Sequence, residues 1–169
     1  MICWMRIHIA LNKLFMEFKK LCELDAPAVE KKAIADKICM DLTVLTAIEK
    51  QIFYPAARDA INDDDLLNKA EVEHAGAKDL IAQISAMDVK GELFNAKVIV
   101  LGESIDHQVD EERYEIFFKA RQSGMGLKGM VDDLTALKKI CWPMIRRLPE
   151  NPVVGGQLLA SGFRFRRLR

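Results

Sequence analysis

The chain has 169 residues, half of them hydrophobic, which suits one globular domain with a sizeable core. Its 25 basic and 25 acidic side chains balance, but six arginines and a single acid follow Met144, so the body carries five more acids than bases. An acidic body argues against a nucleic-acid surface there, and no apolar run reaches the ~20 residues of a membrane span. The four cysteines, Cys3, Cys22, Cys39 and Cys141, show no Cys-x-x-Cys spacing and read as free thiols of a reducing cytoplasm.

The opening MICWMRIHIALNKLF is broken by Arg6, His8 and Lys13 and reads as a mature helix, not a signal peptide. This first helix is predicted from about Trp4 to Leu24, with His8, Leu11, Phe15, Phe18 and Cys22 on its inward stripe. Asp25-Ala26-Pro27 then signals a helix start, with an acid available as a cap and a proline tolerated in the first turn. The second helix runs to at least Phe53 through Ile34, Ile38, Leu42, Leu45, Glu49 and Ile52, and Pro55 kinks or ends it.

Asn62-Asp63-Asp64-Asp65 is a polar turn suited to the start of a third helix. That helix spans about Leu66 to Met87 with the stripe Leu67, Ala70, His74, Ala77, Ile81 and Ile84. The fourth is predicted to continue to about Arg121, with Leu93, Ala96, Val100, Ser104, His107, Glu111, Tyr114 and Phe118 facing inward. Ser123-Gly124-Met125-Gly126 breaks it. A short helix at about Leu127 to Ile140 is expected outside the bundle, and residues 143–169 read as a flexible basic tail on a bundle of residues 1–142.

Four helices of about 20 residues with short turns predict an all-α, up-down-up-down four-helix bundle. The chain has only three histidines, and His8, His74 and His107 each fall on the inward stripe of a different helix. The remaining helix offers Glu49, and Glu111 stands four residues after His107, one turn above it on the same face. A buried carboxylate is costly unless paired or metal-bound, so His8, Glu49, His74, His107 and Glu111 are candidate metal ligands. Mixed nitrogen and oxygen donors suit iron, manganese, zinc or copper better than calcium or magnesium, and two carboxylates able to bridge favour two ions. The ferritin-like Glu-x-x-His motif occurs once, at Glu71 and His74, but its second copy fails at Ser104.

With these residues in place, the chain resembles the bacterial hemerythrin-like HHE cation-binding family, from about Ile7 to Lys139. The family order is a lone His, His-x-x-x-Glu, a lone His, and a second His-x-x-x-Glu; here His8, Glu49, His74, His107 and Glu111 match it. KKAIADKICMDLTVLTAIEKQIFYPAARDAI, EVEHAGAKDLIAQI and VLGESIDHQVDEERYE are similar to it in texture. The resemblance implies a non-haem iron centre, usually di-iron, linked to oxygen, nitric oxide or iron sensing and stress responses; for this chain the leading reading is a cytoplasmic sensor or iron-handling module with one or two ions rather than an enzyme. It also implies a sixth ligand where Leu45 stands. Gln108 occupies a position where many relatives carry a second histidine and is not counted as a ligand. Glu112, rotated by roughly 140° from His107, is a poorer candidate than Glu111. An impaired site is therefore expected, filled near His74, His107 and the carboxylates and weak near His8 and Leu45. Two other readings remain open: a metal-free interaction bundle, favoured by Leu45, and an iron-dependent oxidase or nitric-oxide reductase, for which Tyr114 is a candidate participant.

Overall fold

Runs of Leu, Ile, Ala, Lys and Glu at three-and-four spacing propagate as helices wherever turn residues do not interrupt them. The computed structural model describes residues 2–123, without the side chains of residues 2–6 and 52. Its elements are α1 (Ile2–Glu23), α2 (Ala28–Ile48), a π-helical turn (Glu49–Phe53), α3 (Tyr54–Ala60), α4 (Asp64–Ala86), α5 (Phe94–Glu111), a second π turn (Glu112–Ile116) and α6 (Phe117–Gln122). No strand occurs among the described residues, and none of their helices is long and apolar enough to cross a membrane. The short C-terminal helix and the basic tail expected from the sequence lie outside the described residues.

The turns differ from expectation in one instructive place. Asp25 does not cap α2; it adopts a left-handed φ of 47° and closes α1. Ala26 N–H donates to the Leu21 carbonyl at 2.9 Å and Asp25 N–H to that of Cys22 at 3.2 Å, the paired bonds that satisfy the last carbonyls of a helix. Pro27 takes the N-cap position of α2 without a side-chain cap. Asp63 does cap α4, accepting from Leu66 N–H at 3.1 Å.

Pro55 does not end the second rod. It lies in the first turn of α3, just after a π turn in which Tyr54 N–H donates to the Glu49 carbonyl five residues back. A wider turn at this point tolerates the missing proline amide, and the helical path continues to Ala60.

α1 packs against α2 and α5, and α4 packs against the same two, so four rods surround one interior as a helical bundle. That interior has two apolar clusters. One gathers Leu11, Phe18, Ile38, Leu42, Leu45, Ile81, Phe94, Leu101 and Ile105. The other gathers Phe53, Tyr54, Leu67, Ile116 and Phe117 around the π turns. Along α2, α4 and α5 alike, the residues between the two clusters are polar: Glu49, His74, and Gln108 with Glu112. Cys22 and Cys39 are free thiols.

The inward stripe of α5 is offset by one residue from the predicted one. Phe94, Val98, Leu101, Ile105, Gln108 and Glu112 are buried, whereas Leu93, Val100, Tyr114 and Phe118 are exposed. Both sets obey three-and-four spacing, about 100° apart on the helix. The set carrying Phe, Val, Leu and Ile in its first three turns removes more apolar area from water than one carrying Ala and Ser, so it turns inward.

Candidate metal centre

The polar layer between the apolar clusters is built from four rods. α1 contributes His8, the start of the first π turn Glu49, α4 His74, α5 Gln108, and the start of the second π turn Glu112; each is at most 7 % exposed. Tyr54, 4 % exposed, joins them from the first residue of α3. In an uninterrupted α-helix a residue five after Glu49 would point roughly 140° away from it. The π turn closes that gap and brings the Tyr54 ring over the same layer, edge-on to His74 with ring centroids 5.2 Å apart.

The distances define the chemistry. Glu49 uses both oxygens: Oε1 lies 3.7 Å from His8 Nε2 and Oε2 lies 3.7 Å from His74 Nε2. Glu112 Oε1 is 3.6 Å from His74 Nε2. These approaches are too long for hydrogen bonds. They match the roughly 3 to 4 Å that separates two donors sharing an ion at bond lengths of about 2.1 Å. Ligand atoms of His8, Glu49 and Glu112 all lie within 4.8 Å of one another, a group that can hold a metal ion. Beside them is a cavity of about 10 Å³, lined by His8, Leu42, Leu45, Thr46, Glu49, His74, Ile105, Gln108, Val109 and Glu112, with room for one water-sized guest. The buried amide nitrogen of Gln108 has no hydrogen-bond acceptor, so the polar part of this lining is incompletely satisfied.

Tyr54 is bonded on both sides. Its hydroxyl donates to Glu112 Oε1 at 2.6 Å and lies 3.2 Å from His74 Nε2. Since the single hydroxyl proton goes to the carboxylate, the phenol oxygen is left to accept from a protonated His74 Nε2. Burial opposes a charge on His74, but the Glu112 and Glu49 carboxylates outweigh it and raise its pKa. Burial pushes the Tyr54 hydroxyl up, and Glu112 adds to this, so the phenol is neutral at physiological pH. At His8 burial is the largest cause and outweighs the attraction of the Glu112 and Asp106 carboxylates, so its pKa falls to about 4. The two imidazoles of the layer are thus shifted in opposite directions, His8 down and His74 up.

Of the residues singled out from sequence, His8, Glu49 and His74 come together. His107 and Glu111 do not join them. The His107 side chain is 64 % exposed, with its Nε2 3.5 Å from Glu111 Oε1, and Glu111 is ion-paired with Lys69 on the outer face. The positions that face the layer from this rod are Gln108 and Glu112, one residue later in each case. The three-donor group lies on the His8 side, where the sequence led us to expect the weaker half. Tyr114 is 63 % exposed; the tyrosine of the layer is Tyr54. Leu45 lines the cavity, as the missing-ligand argument requires, while the Thr46 hydroxyl is spent on the Thr43 carbonyl at 3.3 Å. Glu112 was within reach of sequence reasoning through the bulkier Phe94-Val98-Leu101-Ile105 stripe, whereas no spacing rule pointed to Tyr54. No family model, curated protein or solved structure matches the chain.

Proposed function

We propose that this chain is a cytoplasmic, hemerythrin-like bundle in up-down-up-down order that binds non-haem iron in its polar layer and senses or handles oxygen, nitric oxide or iron. The observation that carries the reading is the 3.6 to 3.7 Å spacing of His8, Glu49, His74 and Glu112, wider than hydrogen bonding and suited to a shared cation. The donor set fits iron: two imidazoles, two carboxylates and an adjacent phenol are harder and richer in oxygen than zinc or copper centres built on thiolates. Iron bound there would supply an open coordination position able to take a small diatomic molecule.

The residues divide the work. His8, neutral at physiological pH, offers its lone pair without first losing a proton. Glu49 is the bridge, with one oxygen toward each histidine. Tyr54 fixes the orientation of Glu112 and, on the other side, takes the proton of His74 as a hydrogen bond. Binding a metal through His74 Nε2 would require that proton to leave. Leu42, Leu45, Ile105 and Val109 shield the cavity from water.

In the register found here, the two family motifs read Leu45-x-x-x-Glu49 and Gln108-x-x-x-Glu112, so the histidine is replaced in both. This reduced set supports about one ion instead of a full pair. A metal-free interaction bundle is the second reading, and Leu45 in the cavity wall favours it. Titration of a His107→Ala chain with cobalt(II) under anaerobic conditions, which leaves out any binding at the exposed His107 and Glu111, separates the two. Visible bands that saturate near one equivalent, and vanish in Glu49→Gln and Glu112→Gln, support the metal site. No bands in a chain with a helical spectrum favour the second.

A further inference from the structure

His107 and Glu111, absent from the buried layer, belong to a second cluster one step around the same two helices. On the outer seam of α4 and α5, ligand atoms of Glu73, His107 and Glu111 lie within 4.8 Å of one another. His107 Nε2 and Glu111 Oε1 are 3.5 Å apart, close to the ~3.4 Å separation of two donors on a tetrahedral ion. Glu73 reaches the same spot from the neighbouring helix. Its side chain is 23 % exposed and that of Glu111 is 15 %, so both carboxylates are partly withdrawn from water.

A cation already sits here. The Lys69 ammonium contacts Glu111 directly and lies 3.7 Å from Glu73. It neutralises two carboxylates that would otherwise repel each other, and its side chain, 53 % exposed, can swing out into solvent. A divalent ion in its place would carry twice the charge and gain the imidazole nitrogen, which an ammonium cannot use as a ligand.

We propose that Glu73, His107 and Glu111 form an outer binding site for a divalent cation of the zinc type, with Lys69 as its built-in competitor. One nitrogen and two carboxylate oxygens are a recognised three-ligand set for zinc, and the solvent-facing side leaves the fourth position open for water or for a donor from a partner. Glu73 and Glu111 share a seam with His74, Gln108 and Glu112 that has no room for a water molecule, so the donor atoms of the two clusters meet at separate points.

The test is calorimetric titration of zinc(II) into the full chain and into His107→Ala and Lys69→Ala, both at exposed positions where folding is not at stake. The expected result is that His107→Ala loses one zinc equivalent or weakens it by about 10-fold or more, while Lys69→Ala tightens the same equivalent several-fold. Nuclear magnetic resonance of the His107 ring protons gives a second readout, with a shift complete at stoichiometric zinc. Isotherms of the two variants that superimpose on the parent, or a His107 resonance unmoved by zinc, would overturn the proposal. These outcomes do not depend on whether the buried layer holds iron.

Discussion

Glu49 connects the two ends of the buried layer, because one of its oxygens faces His8 and the other faces His74. Removing one charge there removes the bridge, so Glu49→Gln should weaken iron or cobalt binding by about 10-fold or more while leaving the helical spectrum unchanged. His8 and His74 give the metal-free protein two opposite pH responses. The folded His8 stays neutral down to about pH 4, whereas in the unfolded chain it protonates near 6.5. The unfolded state thus binds more protons in this window, and stability falls as pH drops through it, by about 3 kcal/mol at full extent. The raised pKa of His74 works the other way, its contribution being complete below 6.5 and lost as pH rises through its folded value. Urea midpoints of the metal-free protein at pH 7 and 4.5 should therefore fall more for the parent than for His8→Gln. Equal losses would show that His8 is not the acid-sensitive group. At this scale the sequence was partly legible. Of the three histidines and the lone glutamate on helical stripes, His8, His74 and Glu49 do come together inside the bundle, but periodicity alone could not choose between His107 with Glu111 and Gln108 with Glu112, which differ by one step around a helix.

Among the elements, the two π turns matter most. Each begins at a carboxylate of the layer, Glu49 or Glu112, and each closes with an amide bonded five residues back, from Tyr54 to Glu49 and from Phe117 to Glu112. Such turns cost hydrogen-bond quality and persist where a side chain must be re-aimed. Here the first one brings Tyr54 into the layer, which is why a reading in units of 3.6 residues passed over it. Helix extents were legible from capping acids, prolines and stripes, while the left-handed Asp25 was not, since an acid before a proline signals a helix start as readily as a stop. Two mid-helix glycines test the packing. A Cβ on Gly102 of α5 would lie 2.9 Å from the Phe15 ring of α1, whereas one on Gly76 of α4 would meet nothing within 4 Å. Gly76→Ala should stabilise by up to about 1 kcal/mol through helix propensity alone. Gly102→Ala gains the same propensity but crowds an aromatic ring, and should destabilise by about 1 kcal/mol net. Thermal or urea unfolding of the pair measures both signs, and a stabilised Gly102→Ala would mean that α1 and α5 are packed less closely than described.

At the scale of the whole bundle, the two halves of the described residues repeat one plan. A lone histidine, His8 or His74, is followed on the next long rod by a non-ligating residue, Leu45 or Gln108, and four residues later by a glutamate that opens a π turn. The polar layer thus draws the same pattern of side chains from both halves. Leu45→His with Gln108→His should raise the metal bound from about one ion per chain to about two, because both substitutions put an imidazole against the existing cavity. Unchanged stoichiometry in a folded double variant would show that these positions do not face the ion. The outer cluster on α4 and α5 is carried by residues adjacent in sequence to those of the buried layer, Glu73 beside His74 and Glu111 beside Glu112, yet it looks out to solvent. The overall architecture was the most legible level, since four amphipathic rods with short turns have few ways to bury their stripes.

The most direct test of the account is the iron content of full-length protein expressed with iron and purified without oxygen, measured by elemental analysis beside Glu49→Gln/Glu112→Gln and His107→Ala. The account predicts about one iron per chain in the parent and in His107→Ala, and none in the double carboxylate variant. Iron lost from His107→Ala but kept by the double variant, or absent from a parent with a normal helical spectrum, would contradict it.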